Sequence, residues 1–273
     1  MTMHTPRPTL LKLLVAVAAA AFANGTAHAQ GFAVLVTPPR FELTVKPGES
    51  RREVFELTNS NSQAARLHFK TSDWSLDKAG AVLFDDALRP GSCRPWIAIE
   101  RRDVTIPSGG KYRFRFDVAP PADAPAGECR FAVMVEGDEQ SVQTPGGPTF
   151  PFAGRLGVIV YVTIGAAAPK LDIVKAEVAT INGEATPVLQ VQNSGTAHGR
   201  LSGFLSGTDA AGRKFEFNTS TLPILPGETR AITLTVNRER EDAAAPKLTF
   251  PVTITGKLEW GDQTISFERR FAP

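Results

Sequence analysis

One segment occurs twice in this chain of 273 residues. Leu57-Thr58-Asn59-Ser60 is followed by Arg66-Leu67, and Val191-Gln192-Asn193-Ser194 by Arg200-Leu201, with the same step from Asn to Arg. Each copy precedes a second shared signature: Pro107-Ser108-Gly109 before Tyr112 to Val118, and Pro226-Gly227-Glu228 before Ala231 to Val236. A repeat of this kind, with short alternating strands around it, makes the chain two similar β-units in tandem. Paired β-sandwiches commonly serve to bind.

The N-terminus carries Arg7 and Lys12, then the apolar run Leu13 to Ala23, then Ala27-His28-Ala29. That is the pattern of a secretory signal peptide cleaved before Gln30, and the run is too short to span a bilayer. Residues 1–29 are therefore set aside, and the mature protein is expected outside the cytoplasm. The full chain's net charge of +2, with basic and acidic residues interspersed, gives no reason to expect nucleic acid as a partner. In an oxidising compartment the isolated pair Cys93 and Cys129 reads as a disulfide, because a redox-active pair would want Cys-x-x-Cys spacing.

Strand signals follow one another at short intervals. Arg40 to Val45 alternates, with Phe41, Leu43 and Val45 on one face and Arg40, Glu42 and Thr44 on the other. Val54–Leu57, Leu67–Thr71, Trp74–Leu76, Trp96–Ile99, Tyr112–Val118 and Cys129–Glu136 continue the series, separated by Gly and Pro turns, and no window carries a helical period. The stretch 137–154 reads as a long connection holding Phe150 and Phe152. After the apolar segment Leu156 to Ile164, residues 166–169 form a hinge. Strands are expected again at Pro187–Gln192, Leu201–Leu205, Lys214–Phe217, Ala231–Val236, Leu248–Leu258 and Thr264–Phe271. The fold class is all-β, two tandem sandwiches, over 30–165 and 170–273.

Catalytic patterns are missing. There is no G-x-S-x-G elbow, no His/Cys cluster and no calcium loop, and His68 and His198 stand alone, so neither an enzyme nor a metal or cofactor is expected. Asp85-Asp86 reads as a solvated loop, and Trp74, Trp96 and Trp260 as packing residues. Leu156, Val158, Val160, Val162 and Ile164 form one row of an alternating strand whose other face, with Ile159 and Tyr161, is also apolar. Two readings follow: a second buried face against the neighbouring unit, or a strand that offers its edge and one row to a partner.

Signal peptide, tandem sandwiches, Arg40-Phe41-Glu42-Leu43, the Thr58-Asn59-Ser60-Asn61 turn, Pro107-Ser108-Gly109, the long loop and the apolar strand after it together resemble the PapD-like periplasmic chaperones of pilus assembly. The resemblance implies two immunoglobulin-like domains. It also implies β-augmentation of a pilin-like subunit by residues 155–164, with Leu156, Val158, Val160, Val162 and Ile164 as the client-binding strand, and hand-over to an outer-membrane usher. Arg40 matches the Arg that anchors the subunit's C-terminal carboxylate. The family's Lys has no counterpart, its place being taken by Val158; Arg155 or Lys170 is left to supply the second charge. A self-capping dimer fits the same scheme. The alternative is an extracytoplasmic adhesion or scaffold protein whose apolar strand is buried between the two units.

Overall fold

The computed structural model describes residues 32–143, 147–238 and 246–273, so the expected signal peptide lies outside the described residues. The first unit runs β1 (Val34–Thr37), β2 (Arg40–Val45), β3 (Arg51–Asn59), β4 (Ala65–Leu76), β5 (Val82–Asp85), one turn of 3-10 helix (Arg94–Trp96), β6 (Ile97–Ile99), β7 (Asp103–Ile106) and β8 (Lys111–Val118). It continues through β9 (Gly127–Gly137), β10 (Gln140–Gln143), β11 (Thr149–Phe152) and β12 (Arg155–Ile164). The second unit holds β13 (Leu171–Ile181), β14 (Glu184–Asn193), β15 (Ser202–Thr208), β16 (Lys214–Thr219), β17 (Thr229–Val236), β18 (Val252–Trp260) and β19 (Gln263–Phe271). The all-β, two-unit architecture is the one the sequence implies.

In the first unit, one sheet has the order β1-β3-β8-β6 and the other β2-β12-β9-β4-β5, with β7 also on β4. The chain changes sheets at Pro38-Pro39: β1 pairs with β3, whereas β2 pairs in parallel with β12. Alternation does the rest. Phe41, Leu43 and Val45 point inward from β2 to meet Phe55, Phe114, Phe116, Phe131 and the β12 row in one core. Phe69 stacks on Phe114 at 4.1 Å between centroids, and Phe41 meets Phe116 edge-on at 5.3 Å. Cys93 and Cys129 are bonded, with Cα atoms 5.7 Å apart, fastening the 3-10 turn to β9.

The connection over 137–154 is more ordered than its composition suggests. β10 and β11 form a hairpin, with Gln140 opposite Phe152, and Gly137 N–H donates to Gly154 O at 2.9 Å to close its base. The second unit follows the order β13-β14-β17-β16-β15-β18-β19. β17 serves both layers: Thr229–Thr233 pairs with β14, and Leu234–Val236 with β16. Its core gathers Leu189, Val191, Ile224, Ile232, Ile254, Leu258 and Phe271.

The repeated asparagine has the same task in both units. Asn59 is fully buried; its Nδ2 donates to the carbonyls of Gln63 (2.8 Å), Ile106 (3.0 Å) and Pro107 (3.1 Å), and its Oδ1 accepts from Asn61 N–H at 3.0 Å. Asn193, equally buried, donates to Ala197 and Ile224 carbonyls, both at 2.8 Å, and accepts from Gly195 and Lys170 N–H at 2.9 and 3.1 Å. Each amide thus ties the loop after its own strand to the turn before β8 or β17. A buried carbonyl stripped of its partner costs about 1–3 kcal/mol, so Asn59→Ala is expected to lower stability by about 3 kcal/mol in urea unfolding. Asn59→Asp, which turns an acceptor toward those carbonyls, is expected to cost more than the alanine; equal or smaller loss rules out this role.

Candidate functional site

The expected client row is a core row. Val158, Val160, Val162 and Ile164 are 1%, 0%, 0% and 2% exposed and face the aromatic core, while Leu156 is half-buried at its margin. No partner can take these four side chains while the sandwich stays closed, which corrects the expectation that the row is offered outward. The opposite face of β12 is also covered: Tyr161 meets Trp74 edge-on at 5.1 Å, and both pack with Ala132, Met134 and Leu225, the last from the second unit. Of the two readings of the double-faced strand, burial against the neighbouring unit is the one seen. Gly157 is small for a cause on this face, since a Cβ there would lie 2.3 Å from the Phe84 ring.

What remains open is backbone. β2 covers only Ile159–Ile164, beginning with Ile159 N–H donating to Pro39 O at 3.1 Å. By the two-residue alternation of a strand, the N–H and C=O of Arg155 and Gly157 point to that same side. Among the described residues no strand pairs with them there. Exposed Phe150 and Phe152 lie on the hairpin that leads into this half-edge. Arg40 sits at its end, opposite Ile159 in register.

Beside Arg40 a charged cluster joins the two units. Oε1 of Glu42 lies 3.1 Å from Arg40 Nε, 3.4 Å from Arg200 Nη2 and 3.6 Å from His198 Nε2. His198 Nδ1 is 2.5 Å from Glu128 Oε2, which also accepts the His198 backbone N–H at 3.0 Å; Arg130 Nη1 reaches the other Glu128 oxygen at 3.3 Å. Tyr161 stacks on His198 at 3.9 Å and accepts from Arg200 Nη2 at 3.3 Å. The His198 imidazole, aided by Arg200 and Arg40 and opposed by burial, lowers the Glu42 carboxyl from 4.5 to about 2. Burial alone would pull His198 down, but the carboxylates of Glu128 and Glu42 outweigh it and hold its pKa above 6.5. Burial pushes the Tyr161 hydroxyl up. A second tie is Arg230 on β17, buried, ion-paired with Glu228 and donating to Asp77 O at 3.1 Å.

The residues proposed for the second anchor charge lie elsewhere. Arg155 is four residues up the strand from Ile159, roughly 13 Å at strand rise, ion-paired with Glu136 (3.2 Å) and Asp86 (3.4 Å) over the Phe84 ring. Lys170 directly precedes β13 beyond the far end of β12, its N–H donating to Asn193 Oδ1 at 3.1 Å. Arg200, from the second copy of the repeat, shares the Glu42 carboxylate with Arg40, as does His198. Asp85 and Asp86, expected in a solvated loop, are ion-paired with Arg89 (2.9 Å) and Lys70 (2.8 Å). Trp74 is buried with Nε1 on Phe131 O at 3.0 Å, and Trp96 and Trp260 pack at the margins of the cores.

No family model matches the sequence, and no curated protein matches it. Among solved structures it is similar to the class 5 fimbriae chaperone CfaA, at 12% identity over 88% of this chain and 99% of that one, TM-score 0.45. A Salmonella enterica structure of SafA pilin with the SafB chaperone matches at 12% identity over 89% and 98%, TM-score 0.46. The CsuC–CsuE chaperone–tip adhesion subunit complex of Acinetobacter baumannii matches at 13% over 88% and 99%, TM-score 0.44.

The cluster sets a pH window for the contact between the units. Glu42, with its pKa depressed, contributes stability that is present above 4.5 and lost as pH falls toward about 2. His198, with its pKa raised, contributes stability that is present below 6.5 and lost as pH rises through its folded value. The difference in urea midpoint between the protein and its His198→Gln variant is therefore expected to be largest between pH 4.5 and 6.5 and to shrink on both sides. A pH-independent difference rules the window out.

Proposed function

We propose that this protein is a non-enzymatic periplasmic chaperone for pilin-like subunits, pairing its backbone with a subunit strand along the free half of β12 and passing the subunit to an outer-membrane usher. The observation that carries it is the unpaired half-edge, Arg155 to Val158, flanked by exposed Phe150 and Phe152 and ending at Arg40. A strand laid there continues the line of β2, so its terminus abuts the Arg40 guanidinium. That group suits a carboxylate, and Arg200 beside it supplies a second charge. Glu42 then acts as the resident carboxylate against which an incoming one competes. Main-chain bonds give such a complex its affinity; the apolar contribution comes from Leu156 and the two phenylalanines instead of the buried row. The same edge on two copies can self-cap as a dimer.

Burial of both faces of β12 favours a second reading, an extracytoplasmic scaffold with no client. Amide hydrogen exchange separates the two. With a pilin-like subunit lacking its final strand, the amides of Arg155 and Gly157 are expected to slow by about a hundredfold, as a bound strand protects them, and Arg40→Ala to weaken binding about tenfold or more. Unchanged exchange at both amides sinks the chaperone reading and leaves the scaffold.

A further inference from the structure

His68 stands on β4 between two carboxylates. Its Nδ1 lies 2.6 Å from Asp103 Oδ1 on β7, and its Nε2 lies 2.5 Å from Asp138 Oδ1 in the turn between β9 and β10. Ionised carboxylates only accept hydrogen bonds, so both contacts together require both ring nitrogens to donate. Only the imidazolium does that. A neutral ring keeps one N–H and turns a lone pair on the other carboxylate.

The rest of the surroundings leave the ring to these two acids. Glu136 on β9 is opposite His68 in register but is engaged by Lys70 (3.1 Å) and Arg155 (3.2 Å). Lys70, two residues along β4, is taken up by Asp86 and Glu136, Arg66 on the other side is exposed, and Glu139 follows Asp138 in the turn. The arrangement is not a metal site, since the carboxylates address opposite nitrogens; among the described residues no group of three such ligands is placed to hold an ion. The two acids are held unequally. Asp103 lies in a strand paired with β4, directly opposite His68, while Asp138 lies in a turn.

We propose that His68 is a pH-operated clamp: as the imidazolium it fastens the base of the β10–β11 hairpin, through Asp138, to β7, and on losing its proton it releases that base. The hydrogen bonds to Asp138 and then Asp103 raise the His68 pKa above 6.5. The clamp is thus complete below 6.5 and opens as pH rises through the folded value. Its partners are 39%, 60% and 50% exposed (His68, Asp103, Asp138), so solvent screens it and its effect is modest. With Asp138 free, the hairpin base keeps the Gly137 to Gly154 hydrogen bond. The hairpin that carries Phe150 and Phe152 is then tethered by one link fewer. This behaviour does not depend on what the hairpin binds.

Nuclear magnetic resonance on the mature protein tests it, from about pH 5 to about pH 9, the range over which a histidine changes charge. The His68 ring is expected to titrate with a midpoint above 6.5, and the amides of Gly137 to Glu139 to shift with the same midpoint. Above it, amide exchange in the hairpin, referenced to β17, accelerates about fivefold, the scale of an exposed ion pair. His68→Gln shows the fast exchange at every pH, and Asp138→Asn moves the His68 midpoint down while the fold is kept. A His68 midpoint at or below 6.5, or the same hairpin titration in His68→Gln, overturns the proposal.

Discussion

The parallel pairing of β2 with β12 governs the first unit. Six residues of β2 meet the last six of the ten in β12, and the rest of the arrangement depends on that mismatch in length. The paired part closes the sandwich, bringing Phe41, Leu43 and Val45 against Phe116 and the β12 row. The other part leaves Arg155 and Gly157 without a strand partner on that side among the described residues. An edge of that kind is a hazard that proteins ordinarily blunt. Here it is short, it begins beside two ion pairs of Arg155, and it ends at a guanidinium.

The outward face of the same sheet changes character along its length. At one end it carries the ion pairs of His68, Lys70, Glu136 and Arg155; in the middle Met134, Ala132 and Phe84 over Gly157; at the other end Trp74, Tyr161 and the cluster that meets the second unit. The contact between units is thus anchored by charges that need one another. The Glu128 side chain is fully buried, and its charged partners are His198, which crosses from the second unit, and Arg130 beside it. Removing one member of such a group leaves the remaining charge in a dry place, which is why buried pairs fix geometry more surely than they add stability.

Much of the fold was legible because it rests on local pattern. The alternation in Arg40 to Val45 and in Tyr112 to Val118 is seen as written, and the repeated Asn marks the buried amide that knots each unit. The cysteine pair is joined. Other elements were hidden for physical reasons. The hairpin β10–β11 pairs a polar strand, Gln140–Gln143, with a short one broken by Pro151, so neither carries the alternation that separates a strand from a loop. The Asn182-Gly183 turn, with both residues at positive φ (50° and 82°), joins β13 and β14 into a long hairpin, yet it sits among weakly apolar neighbours. The candidate site was less legible still. Periodicity identifies which residues share a face, but not which face meets the other unit, so it does not tell that the row from Val158 to Ile164 lies in the first unit's own core. His198 and Arg200 lie far from Glu42 in sequence; the one clue was that Arg200 belongs to the repeat.

β17 belongs to both layers of the second unit, paired with β14 along its first half and with β16 along its second. A sandwich made of two separate sheets can lose one and keep the other for a time, because only side chains join them. Where one strand is a member of both, as β17 is, displacing that strand from one ladder disturbs the other as well. The two layers of the second unit are therefore joined by a continuous backbone seam along β17 and not by side-chain packing alone.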